Sequence, residues 1–268
     1  MTQNGFDAFR ERYGPWALIA GASEGIGAEF AAQLAARGLN LVLIARREEP
    51  LNTLSAQLKR VHTIDVRTLP LDLAREDIGQ AVSKVTGDIE IGLLVYNAAL
   101  SMIGPYLEIS LEDHLRELAV NCRAPMALAY LLGLPMLKRR RGGIILMSSL
   151  GGTQGSALIV HYTATKAYNR LLAEGLWDEL REHGVDVLAP CPPAVNTPGY
   201  QASAPRGPMA AMTPRAVVRE SLAALGKKPA IIPGWNWRLA GIFMERVLPR
   251  KGAIRLISRV TRRMYEKG

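Results

Sequence analysis

Tyr162 and Lys166 stand four residues apart in a stretch with helical patterning. Side chains at that spacing share one face of a helix. An ammonium beside a phenol favours the phenolate and lowers its pKa from about 10 towards the working range. A tyrosine tuned in this way gives or takes a proton near neutral pH. Ser149 lies thirteen residues before Tyr162, at the end of an apolar run. A hydroxyl there can hold a carbonyl oxygen. Asn121 lies earlier, inside a long helical stretch. Taken singly these residues are ordinary. A lone Tyr-x-x-x-Lys is most often a solvated helix face, and Ser148-Ser149 reads as a strand end or helix cap. Weight comes from the order in which they occur with other features.

A glycine loop comes first. Gly21, Gly25 and Gly27 fall in G-A-S-E-G-I-G, between an apolar run at 15–20 and a helical stretch at 25–37. Glycine lets the backbone turn tightly and lets a pyrophosphate approach the helix N-terminus, where free N–H groups and the helix dipole favour an anion. The spacing departs from G-x-G-x-x-G, and alone the loop also reads as a tight strand-to-helix turn. The second strand, Asn40–Ala45, is followed by Arg46-Arg47. A site for NAD places Asp or Glu at this strand end to bind the ribose 2′-hydroxyl. Ala45 stands there instead, and the Arg46 guanidinium can pair with a 2′-phosphate. The pattern predicts NADP(H) over NAD(H). The alternative is that Arg46 and Arg47 begin a solvated helix. Glu24, in the loop, is not the basic residue some NADP sites carry.

These residues need a scaffold. Apolar runs at 15–20, Asn40–Ala45, within 61–71, Ile91–Tyr96, 143–148, 185–189 and 230–232 read as seven strands. Helical patterning fills 25–37, 48–60, 111–138, 158–183 and 214–225. In the first of these, Ile26, Phe30 and Leu34 recur every four residues. Strands separated by helices imply parallel order, and near-continuous apolar strands imply a sheet covered on both faces. The expected fold is α/β, a Rossmann-type doubly wound parallel sheet of seven strands with helices on both faces. A Pro/Gly/Ala-rich stretch at 190–211 holds too many breakers for a long helix and reads as a loop over the site. A single catalytic domain is expected at 1–237, with a basic amphipathic extension at 238–268.

The chain of 268 residues suits one large α/β domain, and 49% hydrophobic residues exclude intrinsic disorder. Cys122 and Cys191 are the only cysteines and lie far apart without metal-ligand spacing. Neither a disulfide framework nor a metal site is expected from them, and a reduced, cytoplasmic compartment fits. Residues 1–13 are polar and show no signal peptide. No apolar run reads as reaching the about 20 residues of a bilayer span. The net charge of +9 is concentrated at the end: 238–268 holds nine Lys/Arg against two Asp/Glu, or +7. It therefore says little about the active site.

The order G-x-x-x-G-x-G, Asn97-Ala98-Ala99, Asn121, Ser149, Tyr162-x-x-x-Lys166 resembles the short-chain dehydrogenase/reductase family, from about Gly14 to Leu225. The resemblance implies roles. Tyr162 would be the general acid in reduction and the base in oxidation. Lys166 would hold the nicotinamide ribose and depress the Tyr162 pKa. Ser149, not Ser148, matches the substrate-orienting serine. Asn121 would anchor a water that links Lys166 to solvent. Gly21, Ser23, Glu24, Gly25, Ile26 and Gly27 would wrap the pyrophosphate. Asp72 and Leu73 would contact the adenine, and Asn97 and Ala98 would support the strand end beside the cofactor. Pro192, Val195 and Thr197 match the segment at the nicotinamide carboxamide. The family also implies a homodimer or homotetramer built on the long helices. Three departures stand out: Ala20 for a frequent threonine, Ala99 for a usual glycine, and Pro193 for a glycine before Val195. Proline fixes φ and removes an N–H, so Pro193 puts the nicotinamide pocket geometry in question.

The opening Tyr13-Gly14-Pro15-Trp16-Ala17 and the Arg46-Arg47 strand end are similar to the branch of long-chain 3-oxoacyl-CoA reductases and 17β-hydroxysteroid dehydrogenases. That similarity implies reduction of a lipophilic ketone or 3-oxoacyl group to a secondary alcohol. Two rivals stay open: an NADP-binding scaffold or sensor without catalysis, and a steroid or secondary-alcohol dehydrogenase working oxidatively. The extension reads as two short amphipathic helices broken at Pro249. Leu239, Ile242, Phe243 and Val247 form one stripe after Trp235 and Trp237. Arg255, Arg259, Arg262 and Arg263 share a face of the second, with Ile254, Ile257 and Met264 on another. Such helices cap a cleft, line a subunit interface, or lie on an anionic membrane surface. No nucleic-acid recognition fold accompanies the charge.

Overall fold

Short aliphatic runs without polar alternation become strands covered on both faces. Seven strands form: β1 (Trp16–Ala20), β2 (Asn40–Ala45), β3 (Val66–Pro70), β4 (Ile91–Tyr96), β5 (Gly142–Leu146), β6 (Val185–Pro190) and β7 (Ala230–Ile231). The edge strand β3, with Arg67 and Thr68 in it, is only partly covered. The computed structural model describes residues 3–203 and 211–265. The strands form one sheet in the order β3-β2-β1-β4-β5-β6-β7, and every neighbouring pair is parallel. Strand order reverses between β1 and β4. In such sheets ligands bind in the crevice beyond the carboxyl ends of the strands at that switch point.

The helices that cover the sheet are α1 (Gln3–Tyr13), α2 (Gly25–Ala35), α3 (Glu48–Val61), α4 (Ile78–Thr86), α5 (Leu111–Leu118), α6 (Ala124–Arg139), α7 (Val160–Arg181), α8 (Pro198–Ser203), α9 (Pro214–Ala224), α10 (Trp235–Ile242) and α11 (Arg250–Tyr265). Two buried layers result. One holds Ile19, Phe30, Leu34 and Leu43 under α2 and α9. The other holds Leu18, Leu94, Leu128 and Val187 under α6 and α7. Each fully buried Leu or Ile contributes about 1.5–3 kcal/mol.

Several elements differ from the sequence reading. The polar N-terminus forms α1, anchored where Tyr13 and Arg12 donate to Asp186 at 2.8 and 2.9 Å. The fifth strand stops at Leu146 rather than 148, and Ser149 instead heads a 3-10 turn over Leu150–Thr153. Helix α7 starts two residues later than 158, because Leu158 has φ +65° and cannot continue a right-handed helix. Residues 190–211 form no long helix up to 203, only the single-turn α8; residues 204–210 lie outside the described residues. Leu111–Arg139 is a continuous helical run of 29 residues holding an 18-residue window of mean hydropathy 1.2, so one segment does reach bilayer-crossing length and hydropathy. Its apolar window is 56% buried in the fold.

Candidate active site

The glycine loop joins β1 to α2. Gly21 has φ +81° and Gly25 φ +57°, conformations that favour glycine. Gly27 is fixed by crowding: a Cβ there would lie 1.9 Å from the Gly21 carbonyl oxygen. Asn97, just past β4, donates its Nδ2 to that same oxygen at 3.0 Å. The Asn97 and Ala98 N–H groups both reach the Ala20 carbonyl at 2.9 Å. A Cβ on Gly25 would come within 2.9 Å of Thr197 Cγ2, so the segment after β6 closes on the loop. Glu24 makes no side-chain cap, which leaves the first N–H groups of α2, beside Ser23 and Ile26, for another acceptor. This cradle fits an anion such as a pyrophosphate.

At the end of β2, Arg46 is exposed, and no ion pair engages it among the described residues. Arg47 is paired with Glu24. The Asp72 carboxylate accepts from Ala74 N at 3.0 Å and from Arg116 at 2.6 Å, and Leu73 is buried beneath it. Pro192 is buried, and its carbonyl accepts from Leu150 N at 2.8 Å. Pro193 does not break the segment. Met212 donates to Ala194 O and accepts from Asn196 N, each at 2.9 Å, holding Val195 in a parallel bridge.

The four residues singled out for proton chemistry converge beside this cradle. Asn121 sits in a π-helical turn, Ala119–Arg123, between α5 and α6. Its Nδ2 donates to Thr165 Oγ1 at 3.0 Å and to Leu100 O at 2.7 Å, and its Oδ1 accepts from Leu100 N. Lys166 is 2% exposed, and its Nζ donates to Met147 O at 2.9 Å. Ser148 Oγ donates to Lys166 O, so the two serines differ: Ser148 is spent on the backbone, while Ser149 Oγ accepts from Gly151 N at 3.1 Å and acts on Tyr162 to lower its pKa. Burial drives the Lys166 ammonium down to about 8.

The Tyr162–Lys166 spacing implies a lowered Tyr162 pKa, but the folded environment acts the opposite way. Burial pushes the Tyr162 phenol up to about 12, Tyr265 and Glu117 add to this, and only Ser149 opposes it. Lys166 Nζ lies 5.7 Å from the Tyr162 ring centroid and is turned to a carbonyl. In this arrangement Tyr162 is a proton donor at neutral pH.

The extension closes over the same place. Ser258 on α11 accepts from Ala157 N at 3.0 Å, Thr261 Oγ1 bonds Ser156 Oγ at 2.8 Å, and Arg250 donates to Thr153 O at 2.7 Å. Tyr265, at the end of α11, acts electrostatically on Tyr162 and is itself acted on by Tyr200. The face turned inward centres on Ala253 and Thr261; of the Ile254 stripe, Ile254 is exposed while Ile257 and Met264 are half-buried. The stripe of α10 and the turn after it is also outside: Trp235, Leu239, Phe243 and Val247 are all exposed.

Sequence reasoning missed a second polar group beside the first. His114, Glu117 and His161 meet there from α5 and α7. A signal existed: His114, Glu117 and Asn121 follow each other at three- and four-residue spacing, and His161 precedes Tyr162.

Residues 15–206 match the family model described as short chain dehydrogenase. A 7beta-hydroxysteroid dehydrogenase of Clostridium sardiniense is 32% identical over 229 residues, 84% of this chain and 88% of that protein. A very-long-chain 3-oxoacyl-CoA reductase of Phaeosphaeria nodorum is 30% identical, covering 94% of this chain and 77% of its own length. Among solved structures, one from a study of 7beta-hydroxysteroid dehydrogenase stereoselectivity superposes with a TM-score of 0.88 at 28% identity, covering 92% of this chain and 98% of that one. A short-chain dehydrogenase from Sphingobium yanoikuyae in complex with NADPH gives 0.75 at 31% identity, covering 82% and 87%. The chain belongs to the short-chain dehydrogenase/reductase family. It is an NAD(P)-dependent oxidoreductase of a small carbonyl or alcohol substrate, with the Rossmann-type sheet of that class.

Proposed function

We propose that the protein uses NADPH to reduce a lipophilic ketone, of the steroid or 3-oxoacyl type, to a secondary alcohol. The observation that carries this is the convergence of Tyr162, Ser149, Lys166 and Asn121 beside the Gly21–Gly27 cradle. A silent scaffold has no physical need for all four. In this reading the bound nicotinamide supplies the hydride. Ser149 Oγ holds the carbonyl oxygen, and Tyr162 donates its proton to that oxygen. Lys166 positions the ribose and carries charge next to Tyr162. Asn121 holds the water through which the proton is replaced. Asp72 and Leu73 border the adenine, and Val195 and Thr197 border the nicotinamide. The free Arg46 guanidinium supports NADPH over NADH, and with it the reductive over the oxidative direction. The names of the hydroxysteroid and 3-oxoacyl relatives support the substrate class.

The test is nucleotide binding followed by turnover. NADPH and NADH are titrated by fluorescence into wild type and Arg46→Ala, and 3-oxoacyl thioesters and steroid ketones are then added. NADPH binds wild type more tightly, and Arg46→Ala erases the difference. Tyr162→Phe binds NADPH but loses about 10²–10⁴-fold in turnover. Equal affinity for both nucleotides in wild type sinks the NADPH assignment. Turnover unchanged in Tyr162→Phe sinks the mechanism.

A second reading concerns place and partners. Trp235, Leu239, Ile242, Phe243 and Val247 form an exposed apolar ridge edged by Arg238, Arg246 and Arg250. This supports a cytoplasmic enzyme resting on an anionic membrane surface. The exposed apolar faces of α5, α6 and α7 support a homodimer or homotetramer.

A further inference from the structure

His114 and Glu117 lie three residues apart on α5, and His161 lies in the first turn of α7. Their donor atoms all fall within 4.8 Å of one another. His114 and Glu117 are 6% and 0% exposed. The two Nδ1 atoms are 3.2 Å apart, and His161 Nδ1 is 3.7 Å from Glu117 Oε2.

Hydrogen bonding within the protein accounts for only part of this cluster. His114 Nε2 is 3.0 Å from Tyr106 O. A carbonyl only accepts, so Nε2 carries the proton and Nδ1 presents a lone pair. A proton on His161 Nδ1 can satisfy that lone pair. Nothing comparable serves Glu117. Its Oε2 accepts from Met102 N at 3.4 Å and lies 3.7 Å from His161 Nδ1, and its Oε1 is buried with no partner among the described residues. Buried carboxylates are ordinarily hydrogen-bonded or paired.

We infer that His114, Glu117 and His161 bind one divalent transition-metal ion of the zinc class, beside the Tyr162 group and separate from it. Two imidazoles and one carboxylate, with a fourth position open, are a set that zinc accepts. Tetrahedral ligands at bonds of about 2.0 Å stand about 3.3 Å apart, close to the separation of the two Nδ1 atoms. The His114 Nε2–H bond to a backbone carbonyl is the outer support that metal-bound histidines use to fix their tautomer. Two nitrogen donors disfavour calcium and magnesium, which take oxygen. The ion would neutralise Glu117 and engage the Oε1 that lacks a partner. The His161 side chain is 20% exposed, which leaves a path from solvent. Glu117 also acts electrostatically on Lys166 and Tyr162, so loading the site changes the charge beside them. The inference rests on these three side chains and not on the identity of the carbonyl substrate.

Cobalt(II) tests it, because tetrahedral Co²⁺ has a strong visible absorption that octahedral Co²⁺ lacks. The full chain is stripped with a chelator, dialysed and titrated with Co²⁺, then with Zn²⁺. Expected are one Co²⁺ per chain, a tetrahedral spectrum, and its loss as Zn²⁺ displaces the cobalt. Glu117→Gln and His161→Gln should each weaken binding by about 10–100-fold or more. His62→Gln/His183→Gln, which removes the two remaining histidines, should bind as wild type does. Circular dichroism and NADPH titration check that the variants are folded. An octahedral spectrum or no saturable binding in wild type overturns the inference and needs no variant. So does wild-type affinity in folded Glu117→Gln and His161→Gln. NADPH binding and ketone turnover are measured separately, so failure of the metal site and failure of the reductase reading stay distinguishable.

Discussion

Lys166 shows the cost of a functional group at the scale of one residue. Its ammonium is 2% exposed and has one carbonyl partner, and burial brings its pKa down from 10.5 to about 8. The folded state therefore resists holding the charge that the proposed mechanism requires. The linkage has a definite sign. Between pH 8 and 10.5 the unfolded chain binds the proton and the folded chain does not, so this residue's contribution to stability rises with pH across that window. Below pH 8 both states are charged, and the folded state carries a penalty of about 3 kcal/mol at most. Lys166→Met should remove that dependence. In urea melts, wild type gains stability relative to the variant as pH rises from 8 to 10.5, and parallel pH profiles would refute the assignment. Activity runs the other way. Reduction falls as pH passes upward through about 8, where the ammonium is lost, and Lys166→Arg, which stays charged, should move or abolish that limb. Gly27 illustrates a different kind of residue-scale constraint. Its lack of a Cβ is required by a carbonyl 1.9 Å from where one would stand, and the sequence reading of a loop needing glycine was right for that reason.

At the scale of elements, legibility followed the range of the physics. The strands were readable because uninterrupted aliphatic runs such as Leu41–Ile44 have one stable home, and the alternating order of strands and helices dictated parallel pairing. The π-helical turn at Asn121 was not readable. It adds one residue to a helix whose periodicity continues on either side, and only packing against Leu100 and Thr165 reveals it. The Tyr162 pKa also escaped the sequence argument. Spacing put Lys166 on the right helical face, but burial and the Lys166–Met147 bond decide which effect wins. The His114–Glu117–His161 group joins residues 47 positions apart in separate helices, a relation that local spacing cannot supply. The extension was legible as two helices about Pro249, but not in which face turns inward. Small polar residues, Ser258 and Thr261, dock α11 on the 153–157 segment and leave the larger apolar side chains of α10 outside. Two outcomes follow for the extension. Removing 250–268 should raise KM for a bulky ketone by about tenfold, or about 1.4 kcal/mol of lost contact, while NADPH affinity holds; an unchanged KM would mean that α11 does not line the substrate site. Trp235→Ala/Phe243→Glu should abolish sedimentation with phosphatidylserine vesicles and leave ketone turnover in solution intact. Wild type that does not sediment would remove the membrane from the account.

At the scale of the molecule, the distribution of exposed apolar side chains is uneven. Leu115, Leu118, Tyr130, Leu134 and Leu171 are 56, 43, 71, 42 and 67% exposed, and all lie on α5, α6 and α7. Helix α7 also carries Tyr162 and Lys166, and the turn joining α5 to α6 carries Asn121. Scattered surface leucines need no explanation, but five large apolar side chains exposed on α5, α6 and α7 invite one. The proposed homodimer or homotetramer would account for them. A two-fold axis lets one such face pair with itself, because an isologous contact needs only self-complementarity. The contact would also stiffen the helices that hold the proton-transfer residues. Light scattering at micromolar concentration should therefore give twice or four times the 29.2 kDa chain mass. Tyr130→Glu/Leu171→Glu places two carboxylates on each copy of the proposed contact face. That variant should run as a smaller species and melt at a lower temperature. It should still bind NADPH, because neither side chain faces the glycine cradle. A monomeric wild type would leave these apolar faces to some other partner. An unchanged mass in the double variant would move the interface elsewhere, and the exposed ridge of α10 would then be the surface to test.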